Sequence, residues 1–386
     1  MSTTTPPPSQ GTPETPGDDP LGRLLDHHAV VICTGSGGVG KTTTAAVLAM
    51  EAAHRGRRAC VVTIDPARRL ADAMGLEGLT DTPAQVAGPW PGELWAMMLD
   101  TKATFDALVR RNAETPEQAE AILGNRFYRN ISGSLSGTQE YMATEKLYEL
   151  HGEDRFDLVV VDTPPTRNAL DFLDAPRRLT RFLDHRLYRV LVAPTRGLAR
   201  AVNVAAQTFL RTTSRVVGAE VVQDAIEFFS AFDGMEAGFR ERAAAVAELL
   251  ESDQTAFVLV TAPRRDVVEE ATFFADKLAE ADITVRALIV NRVHPHFGAG
   301  PPAAVERRAQ ALEGTALAPF AANLADFASL AATEDGHLAG LTGRVAPAPV
   351  VKVPFLDTDV HDLSGLDRIA THLFPDAAAR AGDGVG

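Results

Sequence analysis

The run Gly35-Ser36-Gly37-Gly38-Val39-Gly40-Lys41-Thr42 has the residue types and the spacing to do chemistry on phosphate. It fits the pattern G-x-x-x-x-G-K-[ST], in which glycines let successive backbone N–H groups turn inward around phosphate oxygens. The helix expected after it adds positive partial charge at its N-terminus. In such a loop Lys41 is expected to reach the β- and γ-phosphates, and the Thr42 hydroxyl to ligate Mg²⁺. The flanks have the right character. Ala29-Val30-Val31-Ile32-Cys33 reads as a buried strand leading in, and Thr42 to Ala53 is alanine-rich, free of glycine and proline, and reads as a helix leading out.

Two further strand ends carry acids. Phe156-Asp157-Leu158-Val159-Val160-Val161-Asp162 is an apolar strand closing on Asp162, where a carboxylate would hold Mg²⁺ through water. The stiff stretch Thr163-Pro164-Pro165-Thr166 follows it, placed to sense a γ-phosphate. Thr63-Ile64-Asp65-Pro66-Ala67 closes another strand, and Asp65 there has the chemistry to orient an attacking water. A turn or capping aspartate is the alternative reading of each acid. Asn291 ends the strand Val285–Val290, where an amide could read a purine edge by paired hydrogen bonds. His294 and His296 flank Pro295 with no acid or cysteine nearby in sequence, and read as surface residues and not as a metal site. Met97-Met98 reads as core.

These residues need a frame that brings strand ends to one edge. The strand candidates are Ala29–Cys33, Ala59–Ile64, Leu94–Leu99, Leu158–Val161, Phe257–Thr261, Val285–Val290 and Val350–Val353. The first, second, fourth and sixth are near-continuous apolar runs, as in parallel strands covered on both faces. Separated by helical stretches, they predict an α/β fold with a doubly wound, mostly parallel sheet. Right-handed crossovers then gather the strand C-termini, and the loops after them, on one edge. Residues 101–151 and 170–251 are helical in pattern and read as insertions in a domain spanning 21–376; a further helical stretch covers 303–341. Residues 1–20 and 377–386 read as disordered tails.

The chain has 386 residues, 45% hydrophobic and 23% charged, an ordinary globular mix with ample core. Its net charge of -14 repels nucleic acid and anionic lipid, so no nucleic-acid partner is expected. No apolar run approaches the roughly 20 residues that cross a bilayer. The two cysteines, Cys33 and Cys60, both lie in strand-like runs and read as core thiols, which fits a cytoplasmic setting.

Taken together, the motifs resemble the ArsA-type ATPases, the family of the arsenite-pump and tail-anchored-protein-targeting ATPases, and within it an anion-transporting subgroup. The likeness runs from Val30 to about Leu363. It implies a Mg²⁺-dependent, dimeric ATPase in which Gly35 to Thr43 forms a deviant phosphate loop. Asp65 would then handle the catalytic water, and Asp162 to Leu173 would form the second switch. Asn291 would contact adenine, and Val353-Pro354-Phe355-Leu356 would close over the base. The expected job is an ATP-gated cycle that grips and releases a protein or membrane-associated partner.

Three departures stand out. The family's loop has a lysine after its first glycine; here Ser36 stands there, and Arg68, Arg69 and Arg167 are in-chain candidates for a substitute cation, with solvated surface charge as the alternative reading. That departure leaves a second expectation, a weakly active or non-hydrolysing subunit paired with a lysine-bearing paralogue. The clustered cysteines of the arsenite pump and the zinc-binding C-x-x-C pair of the tail-anchor branch are both absent. The 170–251 insert holds only Met235, so a methionine-rich client groove is not expected; its apolar face, Phe209, Leu210, Ile226, Phe228, Phe229 and Phe232, is expected to bury into its own core.

Overall fold

The computed structural model describes residues 19–64, 69–131, 138–163, 170–184, 219–232, 234–377 and 380. The expected helix 201–210, the side chains of Phe209 and Leu210, Asp65, Arg68, Arg167 and most of both tails lie outside them.

Eight strands form one sheet in the order β3-β4-β2-β5-β1-β6-β7-β8. They are β1 (Val30–Thr34), β2 (Arg58–Thr63), β3 (Ala84–Val86), β4 (Glu93–Met98), β5 (Leu158–Asp162), β6 (Thr255–Thr261), β7 (Val285–Val293) and β8 (Val350–Pro354). Every pairing is parallel except β3 with β4. β1 and β5 are neighbours; the chain leaves β1 for β2 on one side and leaves β5 for β6 on the other, so the switch point of this doubly wound sheet, where α/β proteins bind ligands, is at the C-terminal ends of β1 and β5. Each of the seven strands read from sequence is present. β3 was not foreseen: it is three residues long, antiparallel, and too short for a periodicity to register.

The core strands are buried on both faces, and their period of two divides the interior. Val30 and Ile32 face one layer with Cys60, Val62, Val159 and Val161. Val31 and Cys33 face the other with Ala59, Val61, Val160 and Val258. The second layer is closed by α1 (Pro20–His27), α2 (Lys41–His54) and, at the chain's end, α14 (Leu363–Leu373). In α2, Ala45, Ala46, Ala49, Ala52 and Ala53 are all fully buried, and side chains this small let the helix lie close on the strands that flank it. A short helix, α3 (Arg69–Ala73), borders it.

The opposite face carries α4 (Thr101–Asn112), α5 (Pro116–Gly124), α6 (Arg126–Ile131), α7 (Thr138–His151), α8 (Leu170–Asp184), α9 (Ala219–Ala231) and α10 (Glu236–Glu251). Phe228, Phe229 and Phe232 of the apolar face are buried against Phe127, Tyr128 and Phe239 in an aromatic cluster. Such cores dominate local stability, so these rings are structural. Beyond β6 come α11 (Arg265–Glu280), α12 (Pro302–Ala311) and α13 (Ala318–Val345). α13 packs on α11 and β7. No helix among the described residues is long and apolar enough to cross a membrane.

Candidate nucleotide site

The phosphate-type loop sits at the switch point because β1 ends at Thr34 and α2 begins at Lys41. Its conformation needs glycine. Gly35, Gly38 and Gly40 have φ of 151°, 76° and 98°, values that L side chains rarely adopt. A Cβ at Gly35 would stand 2.0 Å from the carbonyl oxygen of Val260 in β6, so the loop is pressed against the neighbouring strand. Val39 turns inward and is buried, while Gly37 and Gly38 are exposed at the loop's crest. Ser36 is half-buried.

Gly40 occupies the N-cap of α2 without a side-chain cap. No N-cap side chain therefore occupies the space over the first turn, where a capping oxygen usually sits. Lys41 is buried, and its Nζ donates to the Ser36 carbonyl at 2.8 Å, folded back across the loop. A helix N-terminus beside a lysine ammonium makes a site for a polyanion.

Register aligns the strand ends around this loop. Asp162 in β5 pairs with Cys33 in β1 and with Thr63 in β2. The Thr42 hydroxyl donates to Asp162 Oδ2 at 2.7 Å, and the Thr63 hydroxyl donates to the same oxygen at 2.9 Å. Thr163, next along the chain, donates its hydroxyl to the Cys33 carbonyl at 2.8 Å. A hydroxyl and a carboxylate at hydrogen-bond distance are hard oxygen donors of the kind Mg²⁺ takes. Among the described residues no group of three or more His, Cys, Asp or Glu could hold a metal alone. Mg²⁺ fits such a sparse set, since it keeps waters and phosphate oxygens among its ligands.

Thr63 was not singled out from sequence. The available signal was a hydroxyl on the strand that leads into Asp65, but its partner in β5 lies 99 residues away. Asp65 itself, two residues on, is outside the described residues, as are 164–166; Arg69 is exposed at the start of α3.

On the other side of the loop, β7 continues past Val290, where the sequence places its end, as far as Val293. Its register with β8 shifts between Val290 and Val293, and Arg292 takes a left-handed φ of 63°. Asn291 lies in this irregular stretch, and its Nδ2 donates to the Val39 carbonyl at 2.9 Å. Pro354 ends β8, and the Phe355 N–H donates to the Val293 carbonyl at 2.9 Å. The Phe355 ring is 60% exposed and stacks on His294, centroids 5.9 Å apart and planes 7° from parallel.

His294 and His296 have no acid near them in sequence, and each gains one through the fold. α13 brings Glu334 to His294, with Nδ1 to Oε1 at 2.7 Å, and Asp335 to His296, with Nε2 to Oδ2 at 2.8 Å. These partners come from about 40 residues downstream, out of reach of any local motif. Both cysteines are buried. Burial, reinforced by the Asp162 charge, pushes the Cys33 thiol well above its usual range, and burial raises Cys60 to about 12, so neither offers a thiolate at neutral pH.

Comparison with known proteins points the same way. The family model for anion-transporting ATPases matches residues 28–313. The ATPase ASNA1 homolog of Trypanosoma cruzi is 25% identical over 360 residues, covering 88% of this chain and 89% of that protein. The ATPase GET3 of Phaeosphaeria nodorum is 24% identical over 274 residues, 70% of this chain and 78% of its own. A putative arsenical pump-driving ATPase 2 of Aquifex aeolicus is 24% identical over 269 residues, 68% of this chain and 79% of that protein.

Proposed function

The chain belongs to the anion-transporting ATPase family and is an ATPase; from that premise we propose that it hydrolyses ATP with Mg²⁺ as a dimer, its nucleotide cycle gating the helical face so that a protein or membrane-associated partner is gripped and released in the cytoplasm. The observation that carries this reading is the meeting of Thr42 and Thr63 on Asp162 Oδ2 beside a glycine loop whose lysine faces back across it.

Roles follow from chemistry. Backbone N–H groups of the loop from Gly35 to Thr43 cradle the phosphates, and Lys41 Nζ exchanges the Ser36 carbonyl for phosphate oxygens. Thr42 and Asp162 would hold Mg²⁺, which when bound offsets the charge on the phosphates. Thr63 keeps the Asp162 carboxylate turned toward Thr42. Asp65 is assigned the orientation of the water that attacks the γ-phosphorus while the bond to the bridging β–γ oxygen breaks. Asn291, Pro354 and Phe355 are assigned the purine.

Gating is supported by connectivity. α8 is the first described helix after Asp162, and it packs against α7 and α10. A shift at the β5 end therefore has a short covalent route into the helical face. Among the described residues, Phe228, Phe229 and Phe232 of that face are buried and so are not assigned to client contact. Metalloid cargo does not fit two protonated, buried thiols, and a net charge of -14 does not fit nucleic acid.

Ser36 favours a second reading, in which this chain is the weakly active or non-hydrolysing partner in a heterodimer. A lysine supplied across the interface could contribute about 10³–10⁵ in rate, as trans-acting cations do for related reactions. Single-turnover hydrolysis by the purified chain, alone and mixed with a lysine-bearing paralogue, separates the two. Light scattering with a nonhydrolysable analogue reports the dimer. Turnover by the chain alone is the expected result; turnover only in the mixture transfers the proposal to the heterodimer.

A further inference from the structure

The contact between Asn291 and the loop has a consequence for phosphate binding, given the reading of Gly35–Thr43 as a phosphate cradle. Asn291 Nδ2 donates to Val39 O at 2.9 Å, joining the end of β7 to a loop residue 252 positions earlier. The fit there is tight. A Cβ at Gly40, which has a left-handed φ of 98°, would stand 2.3 Å from Asn291 Nδ2. The strand leaves regular geometry at this point, with the register shift between Val290 and Val293 and the left-handed φ of 63° at Arg292. Irregularities of this kind re-aim side chains next to functional sites.

Peptide planarity carries the effect across the loop. The Val39 carbonyl and the Gly40 N–H belong to one trans peptide unit and point in opposite directions. An amide that holds the carbonyl on the Asn291 side therefore holds the Gly40 N–H on the other side. One Nδ2 hydrogen suffices for this. The second N–H and the Oδ1 of Asn291 have no partner among the described residues, leaving a donor and an acceptor side by side on the amide.

We propose that Asn291 is a positioning residue of the phosphate loop: its amide fixes the Val39–Gly40 peptide so that the Gly40 N–H faces the phosphates, while the rest of the same amide remains for a purine. Occupancy of the base site and the shape of the phosphate cradle are thereby coupled through one side chain. A residue that only read the base would have no influence on a ligand without one.

Inorganic tripolyphosphate, which has the phosphates and lacks the base, makes the test. Mg-tripolyphosphate and Mg-ATP are titrated calorimetrically into the full chain, its Asn291→Ala and Asn291→Asp variants, and Phe355→Ala as a base-side comparison. Asn291→Ala is expected to weaken tripolyphosphate on the order of tenfold, the scale of one structural hydrogen bond, and to weaken ATP at least as much. Asn291→Asp, the same shape without the donor, is expected to lose more because its carboxylate faces the Val39 carbonyl. Phe355→Ala is expected to weaken ATP alone. Amide hydrogen exchange of residues 35–43 without ligand is expected to quicken in both Asn291 variants, a readout that survives even where binding is too weak to titrate. Unchanged tripolyphosphate affinity together with unchanged exchange in both variants overturns the proposal. A wild-type chain that takes no tripolyphosphate, or a Lys41→Ala variant that still takes it, overturns instead the phosphate-cradle reading on which the proposal rests.

Discussion

Replacing Lys41 by alanine is expected to weaken ATP binding at least about a hundredfold while leaving the fold intact. A lysine bridging two phosphates makes charge-assisted hydrogen bonds worth about 1.5–3 kcal/mol each. Each 1.4 kcal/mol is about tenfold in affinity, so losing both contacts exceeds two decades. In the structure the ammonium donates to the Ser36 carbonyl, a neutral acceptor that phosphate oxygens would replace with charge-assisted bonds. Calorimetric titration with Mg-ATP checks the prediction. Retained micromolar affinity would remove Lys41 from the site, and an unchanged melting curve shows that any loss is local.

Asp65→Asn is expected to do the reverse: ATP affinity stays within a few-fold and the hydrolysis rate falls by about 10²–10⁴, the range over which a positioned base or water-orienting group acts. The expectation rests on strand order. β2 lies beside β5, so the chain leaving Thr63 enters the same edge of the sheet as Asp162 and Lys41. Thr63 already touches the Asp162 carboxylate, which leaves Asp65 a short step along the chain. Single-turnover hydrolysis with saturating ATP separates chemistry from binding. A variant that hydrolyses at the wild-type rate would show that another group handles the water.

Much of this architecture could be read from local pattern because local pattern carries it. Val30–Cys33, Ala59–Val62, Leu158–Val161 and Ala287–Val290 are nearly unbroken apolar runs, since strands covered on both faces have no polar side to show. Gly35, Gly38 and Gly40 are glycine because the loop requires positive φ. β3 escaped because a three-residue antiparallel edge leaves no period to detect. The contacts that build the site across the sheet were out of reach for a different reason. Thr63 to Asp162 and Asn291 to Val39 join residues 99 and 252 positions apart, and only register and a strand irregularity bring them together. The same holds for Glu334 beside His294, which is supplied by the long helix α13 packing on β7.

The single contact with the greatest weight is the Thr42 hydroxyl on Asp162 Oδ2. It joins the loop to the β5 end and is the geometry that a magnesium-bound triphosphate would take over. A crystal grown with Mg²⁺ and a nonhydrolysable ATP analogue tests it directly. Phosphate oxygens are expected on N–H groups within Gly35 to Thr43, with Lys41 Nζ released from the Ser36 carbonyl and Mg²⁺ held by Thr42 and Asp162. An analogue bound away from this edge, with Lys41 still on Ser36 and Thr42 still on Asp162, would contradict it.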